Sequence, residues 1–496
     1  MCALACLAAA QPARARPSFP WLHAVRGENA RFEDARGREF TFRGVNVNQL
    51  VDYFKLNEHP ENVPLTRSDL ANIRKLGFTS IRLLMSWSLL EPQPGQIDAS
   101  YLDRVVAAVE QANAEGIYVV LDMHQDAWGK FVAASPTEVC PPGFQPNRGW
   151  DGAPEWATFT DGQPRCAAGG TRELSPAVAQ AWENFWNDRQ GPGGAGIETR
   201  FVAAWRAVAA RFAGDSGVAA YDVLNEPEPG LVPQGRESET LAPMYRRAIA
   251  AIRQVDSRHV VFVEPTVLRD LTPGAIVMPA ISDDPNLAYS PHIYGDVMSS
   301  GRADEAEWTH AREEAAQAGG DAGALPVWIG EYAGVDSDAG EDYNRAFQEY
   351  AEKYRIGWSQ WVWKETCGNP HAGYATTPPG SINVYDCAHD RFTGLQPHRV
   401  KFMVRPYPVF APGRLTALSY AVDSKRFEAR GTAPRASGSP GLRVVVPLKR
   451  GYGSRRHLAI ATSGLGRVAL KVLRDGNAIL TARAKRGDWR VTLTRK

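Results

Sequence analysis

Short apolar runs recur along most of the chain, most of them ending in or just before a polar or charged residue and several separated by longer amphipathic stretches. Eight such runs fall at residues 40–46, 80–87, 117–124, 219–225, 260–264, 287–294, 327–331 and 357–363, with helical patterns such as 101–114 and 201–212 between them. A strand buried on both faces reads as a continuous apolar run rather than an alternation. Eight strands alternating with helices predict an α/β fold, a (β/α)8 TIM barrel. Beyond about Arg405 the pattern shifts to short strands such as Arg443-Val444-Val445-Val446-Pro447 and Val468-Ala469-Leu470-Lys471-Val472, separated by Gly, Ser and Pro. That predicts a C-terminal antiparallel β-sandwich over 405–496. A barrel of residues 17–404 is longer than the ~250 residues typical of the fold. The stretch 129–196 absorbs part of the excess, being too long for a simple βα connection.

Three of the runs lead into a glutamate, one of them Glu264; the two that carry the argument are Tyr221-Asp222-Val223-Leu224-Asn225-Glu226-Pro227 and Val327-Trp328-Ile329-Gly330-Glu331-Tyr332. Strand C-terminal ends are where a barrel keeps its chemistry. A lone glutamate at a strand end reads most simply as an ion-paired or capping residue, but two have a shared use. Cleaving an acetal requires one carboxyl group to protonate the leaving oxygen and another to attack, or to activate water at, the anomeric carbon. Pro227 cannot donate to a ladder and stops the strand just after Glu226. Asn225 beside it offers an amide to a sugar hydroxyl. Arg82, in the apolar run Ser80-Ile81-Arg82-Leu83-Leu84, requires a buried partner. His124 and Asp126 share one side of an extended segment, as do His292 and Tyr294.

Asn225-Glu226-Pro227 and Ile329-Gly330-Glu331-Tyr332 resemble the fourth- and seventh-strand signatures of the retaining glycosidases of clan A, glycoside hydrolase family 5. Val120-Leu121-Asp122-Met123-His124-Gln125-Asp126, Ser290-Pro291-His292-Ile293-Tyr294 and Arg405-Pro406-Tyr407-Pro408 narrow the resemblance to its endoglycosylceramidase group. That resemblance implies cleavage between the first sugar of a glycosphingolipid and its ceramide, with the glucose and galactose branches both open. It implies that Glu226 is the general acid/base, protonated when substrate binds, and that Glu331 is the ionised nucleophile, held by Arg82 and the Tyr294 hydroxyl. By the same resemblance His124 and Asp126 bind sugar hydroxyls next to the scissile bond, and Trp361 forms the platform under the sugar. His292 joins this set, Trp363 and Lys364 add contacts, and Glu264 is read as structural or orienting. Another β-glycosidase of the family, acting on glucans, simple glucosides or glucosylceramide, is the alternative. A carbohydrate- or lipid-binding protein that has lost catalysis is disfavoured because Glu226, Glu331, Asn225 and Tyr294 are all present.

No metal or other cofactor is expected. The histidines form no His-x-x-x-His pair, no Cys-x-x-Cys occurs, and no glycine-rich phosphate loop follows a strand. Nucleic acid is not an expected partner, since no recognition helix or aromatic-basic motif accompanies the arginines.

Charge and cysteines refine the setting. The net charge is +1, yet from Arg443 to Lys496 fourteen Lys and Arg face two Asp. Such a basic module suits peripheral contact with anionic membranes or acidic glycolipids, or is a solvated face balancing an acidic barrel. Residues 1–16 resemble a secretory signal without its basic start, so the protein is expected to be secreted, and to act as a monomer. Cys140, Cys166, Cys367 and Cys387 form two close pairs. Local pairing, Cys140 with Cys166 and Cys367 with Cys387, is the most economical of three connectivities. The 129–196 insertion carries Phe131, Phe144, Trp150, Trp156, Phe159, Trp182, Phe185 and Trp186. These either wall a groove for the ceramide chains or pack the insertion's own core.

Overall fold

A computed structural model describes residues 18–231, 235–272, 274, 276–294, 301–372, 380–435 and 441–496. Eight parallel strands form one sheet: Arg43–Val47, Ser80–Ser86, Tyr118–His124, Val218–Asp222, Val260–Val263, Leu287–Tyr289, Trp328–Ile329 and Gly357–Gln360. The first six pair in chain order, the eighth pairs with both the first and the seventh, and a parallel bridge from Tyr289 to Val327 joins the sixth to the seventh. The sheet is thus a nearly closed barrel, as the eight apolar runs predicted. Every residue of the second and third strands is buried, which is why neither run alternates.

Helices cover the barrel through apolar faces at helical spacing. Ala99–Ala114 starts at Asp98, whose carboxylate accepts the N–H groups of Ser100 and Tyr101, and buries Tyr101, Val105, Ala108, Val109 and Ala112. Ile197–Phe212 buries Phe201, Trp205, Val208 and Phe212. Each fully buried Val, Phe or Leu contributes ~1.5–3 kcal/mol.

Regular pairing ends at Asp222 and Ile329, earlier than the apolar runs suggested. The chain reaches Glu226 through an irregular segment in which the Asn225 N–H still donates to the Met123 carbonyl at 3.1 Å. Glu226 itself has φ +39°, in the left-handed region that costs a side-chain-bearing residue ~1–3 kcal/mol.

The sandwich is present, but its membership corrects the expected boundary. Three N-terminal strands, Leu22–Val25, Arg31–Asp34 and Arg38–Phe40, join its seven-stranded sheet, with Phe40 opposite Phe410. Residues 22–40 therefore belong to the C-terminal layer, and the barrel proper starts at Arg43. An apolar pattern reports burial, not which distant strand is the partner. A four-stranded sheet of Arg414–Ala421, Arg426–Ala433, Leu458–Ser463 and Gly487–Arg495 packs on the first through Leu415, Phe427, Leu442, Val444, Leu480, Trp489 and Val491. Phe32, Phe40 and Phe42 close the lower end of the barrel against Tyr118, Phe262 and Trp328. The Arg405-Pro406-Tyr407-Pro408 motif fastens the two units: Arg405 donates to Glu352 at 2.6 Å and the Tyr407 hydroxyl to the Gly77 carbonyl at 3.0 Å.

Both disulfides form as expected, Cys140–Cys166 and Cys367–Cys387, each with Cα atoms 5.7 Å apart. The first clips the hairpin of Phe144–Pro146 and Cys166–Ala168 within the insertion. Of the two readings of the insertion's aromatics, packing rather than a groove holds for most of them, though against the barrel core. Trp182 and Phe185 are fully buried, and with Trp156, Phe159 and Trp186 they join the core around Trp87, Trp128 and Phe201. The signal-like segment lies outside the described residues. Among those described, no helix is long and apolar enough to cross a membrane.

Candidate active site

Arg82 organises the C-terminal mouth of the barrel. Its guanidinium is fully buried and touches Asp222 at 2.8 Å, Glu264 at 2.8 Å, Asp122 at 3.0 Å and Glu331 at 2.5 Å, while donating also to Asn225 Oδ1 at 2.9 Å. Register explains the convergence, since Asp122 and Asp222 stand level on paired strands. Arg82 is shared by four buried acids, of which Asp122 also faces His124, and Glu264 and Glu331 also face His292. Burial and the neighbouring Glu264 push the Asp222 carboxyl well above its ordinary range. Asp122, Asp222 and Glu264 would otherwise resemble a cation site, but Arg82 already supplies the charge.

Glu331 accepts from Arg82 and, on its other oxygen, from the Tyr294 hydroxyl at 2.9 Å. Both donors favour the ionised form, as does nearby His292. Burial opposes them and raises the carboxyl above its ordinary value, so ionisation here depends on the donors rather than on exposure. Gly330 has no room for a side chain: a Cβ would lie 2.7 Å from Ser290 Oγ and 3.0 Å from His292 Nε2.

Glu226 faces the same imidazole. His292 Nδ1 lies 2.7 Å from Glu226 Oε1 and 3.9 Å from Glu331 Oε2, and its Nε2 lies 3.5 Å from Glu264. Although burial alone would lower it, Glu264 and Glu331 lift His292 well above its ordinary value, making it a cation between three acids. Glu264 Oε2 also accepts the Glu226 N–H at 2.8 Å, and Gln125 donates to the carbonyls of Asn225 and Glu226 at 2.8 Å each. These bonds hold the left-handed turn that aims Glu226. The orienting role read for Glu264 matches this geometry. Asn225 spends one amide hydrogen on the Gln125 carbonyl at 2.8 Å, leaving the other for a ligand.

Beside the carboxylates stands an aromatic and charged wall. His124 lies 3.0 Å from Asp122 and 3.4 Å from Asp126, and stacks on Trp361 with centroids 5.6 Å apart. Arg172 reaches back from the insertion to Asp126 at 2.7 Å and lies 3.8 Å over Trp150. His371 packs edge-on against Trp150, Trp361 and Tyr53. The arrangement offers a proton donor, a nucleophile and a ring face within one concave mouth, which suits cleavage of a glycoside.

The family model described as "Cellulase (glycosyl hydrolase family 5)" matches residues 33–366. The chain belongs to glycosyl hydrolase family 5. Among solved family members, an endogalactoceramidase is 35% identical, superposes with a TM-score of 0.83, and covers 96% of this chain and 100% of its own. Endo-glycoceramidase II from Rhodococcus sp., solved with ganglioside GM3, is 27% identical with a TM-score of 0.73, over 94% of this chain and 99% of its own. The same Rhodococcus protein was also solved as a lactosyl-enzyme intermediate, at 26% identity. An endoglycoceramidase of Cyanea nozakii is 25% identical across 82% of this chain and 80% of its own.

Within this family 5 site, two expected residues are placed elsewhere. Trp363 is fully buried and donates from Nε1 to Asp69 at 3.1 Å, and Lys364 Nζ donates to Asp69 at 2.7 Å and to the Pro64 carbonyl at 2.8 Å. Asp69 sits in the first turn of the helix Arg67–Lys75 and draws both groups away from the sugar wall. Arg82, His124, Asp126, Asn225, His292, Tyr294 and Trp361 do converge with Glu226 and Glu331. Sequence reading missed Asp122 and Asp222, lone charges in apolar runs that the argument made for Arg82 could have found. It also missed Gln125, Arg172, His371 and Asp270, whose positions depend on loop paths that no local pattern encodes.

Proposed function

We propose that this chain is a retaining endoglycosidase that cleaves glycosphingolipids between glycan and ceramide, releasing both intact. The observation that carries this reading is the pair Glu226 and Glu331 on one imidazole nitrogen, at 2.7 and 3.9 Å. That closeness suits double displacement, which uses carboxyl groups ~5–5.5 Å apart, rather than inversion through water at ~6.5–9.5 Å. In the first half Glu226 gives its proton to the leaving oxygen while Glu331 attacks the anomeric carbon. In the second half Glu226 takes a proton from water, which releases the glycan from Glu331 with net retention. Trp361 carries the sugar face, and His124, Asp126 and Asn225 hold hydroxyls. The Rhodococcus relative described as a lactosyl-enzyme intermediate supports the covalent step.

The lipid side of the reading draws support from the ceramidase relatives and from apolar residues left bare on the insertion. Val139, Phe144 and Leu174 are 90, 40 and 56% exposed on the insertion that also carries Arg172 to Asp126, and an amphipathic substrate could cover them. We further infer an exported monomer, in keeping with its two disulfides and signal-like start, and peripheral contact of the basic sandwich with anionic membranes.

Incubation with a panel of glycosphingolipids and aryl β-glycosides, with products identified by mass spectrometry, tests the reading. Intact oligosaccharide plus intact ceramide is expected. Cleavage of aryl glycosides alone would make the chain an ordinary β-glycosidase, and silence of the folded protein on every substrate would make it a binding protein.

A further inference from the structure

Asp270 stands on the short helix Leu268–Leu271 that follows the fifth barrel strand. It is 7% exposed, and one polar atom each of Asp270, Glu226 and His292 lie within 4.8 Å of one another. Its Oδ1 is buried without a hydrogen-bond donor. Arg269 Nη1 is 4.0 Å from it, yet that guanidinium is already engaged, donating to Glu314 at 2.8 Å and to the Glu307 carbonyl at 3.1 Å, with the Glu307 carboxylate 3.4 Å away. His292 is shared among Glu226, Glu264 and Glu331. Among the described residues, then, no cation donates a hydrogen bond to Asp270 Oδ1: Arg269 and His292 are both near but engaged elsewhere, and Asp270 faces a second carboxyl group.

Two carboxyl groups at close range in a buried site do not both ionise readily; one proton stays between them. Resting on the function proposed above, we propose that Asp270 and Glu226 form a dyad that shares one proton, with Asp270 the positioning residue that stores what Glu226 delivers. Burial, and then the Glu226 charge, push Asp270 well above the ordinary carboxylate range, in the same direction. The groups facing the dyad are Arg269 on its own helix, His292 and Tyr294 after the sixth strand, Glu331 after the seventh, Glu264 after the fifth, Glu228 after the fourth, and Arg172 from the insertion.

The proton balance is complete within the established chemistry. As the bond from the anomeric carbon to the leaving oxygen breaks and the bond to Glu331 forms, the dyad's single proton passes through Glu226 to that oxygen. Both dyad carboxyls are then ionised beside His292. In the second half water gives one proton back to the dyad as its oxygen bonds to the anomeric carbon and Glu331 leaves.

Asp270→Asn keeps size and a hydrogen-bond donor but removes the second charge, so Glu226 would hold its proton less firmly. The alkaline limb of kcat/KM should move to lower pH by about one unit or more on a phenyl glycoside, whose leaving group needs an acid. The kcat/KM for a dinitrophenyl glycoside, which reports only the first half and whose leaving group needs no acid, should stay within about twofold at low pH. An alkaline limb that does not move, or equal losses on both substrates, would overturn the dyad and leave Asp270 a structural residue. If the wild type cleaves aryl glycosides but no glycosphingolipid, the lipid reading fails while this test stands. If it cleaves nothing, titration of carboxyl-labelled protein by 13C NMR decides: the Glu226 signal must change its titration when Asp270 is replaced by Asn, and an unchanged curve would overturn the proposal.

Discussion

The Tyr294 hydroxyl donates to Glu331 Oε2 at 2.9 Å, on the oxygen that Arg82 does not hold. Each oxygen of the candidate nucleophile thus has its own donor, so the carboxylate is fixed in rotation as well as in charge. A hydrogen bond to a charged group is worth ~1.5–3 kcal/mol. Tyr294→Phe should therefore lower kcat/KM by roughly 10- to 100-fold with the fold intact. Steady-state kinetics beside a melting curve check this, and an unchanged kcat/KM would remove Tyr294 from the site.

Among the described residues, Arg82 is the only cation in contact with Asp122, Asp222 and Glu331 together. Removing one partner of a buried ion pair costs ~3–5 kcal/mol because the remaining charges stay buried. Arg82→Met should lower the melting temperature sharply, and more at pH 8 than at pH 5, since protonation relieves the stranded acids. A loss independent of pH would mean that packing, not charge, is what Arg82 supplies.

His124 gives a second pH signature. Burial alone would lower it, but Asp122 and Asp126 lift it to about 10. A raised histidine contributes stability that is fully present below its unfolded value of ~6.5 and is lost as pH climbs through the folded one. Wild type should therefore exceed His124→Gln in stability by most near pH 6, with the gap narrowing towards pH 10. Denaturant melts at several pH values measure the gap, and a constant difference would contradict the ion-pair account.

The Cys140–Cys166 bridge closes a loop with a sequence separation of 26 in the insertion that supplies Arg172 and Trp150. The chain-entropy model assigns such a loop ~3 kcal/mol. Replacing both cysteines by serine should loosen the insertion and raise KM more than it lowers kcat, because Arg172 and Trp150 line the sugar wall while Glu226 and Glu331 belong to the barrel. Equal effects on kcat and KM would show that the insertion acts on the carboxylates themselves.

Much of this site was readable before the fold was known. Glu226 and Glu331 follow fully buried strands and Arg82 stands inside one, so a charge there announced itself, while Tyr294 was read through the resemblance of its motif. Trp363 and Lys364 misled because their neighbour Trp361 faces the site, whereas Asp69, far away in sequence, captures both. Asp270 and Arg172 lie on a short helix and an insertion, where no periodicity marks which side chain turns inward. The strands at 22–40 misled for a related reason: antiparallel partners more than 360 residues away leave no trace in a local pattern.

The most direct test of the account is to inactivate the enzyme with a 2-deoxy-2-fluoro glycoside bearing a dinitrophenyl leaving group and to map the labelled peptide by mass spectrometry. The account predicts one sugar per chain, bonded to Glu331, with turnover restored as the adduct hydrolyses. A label on Glu226, or turnover without any adduct and with inverted product, would contradict it.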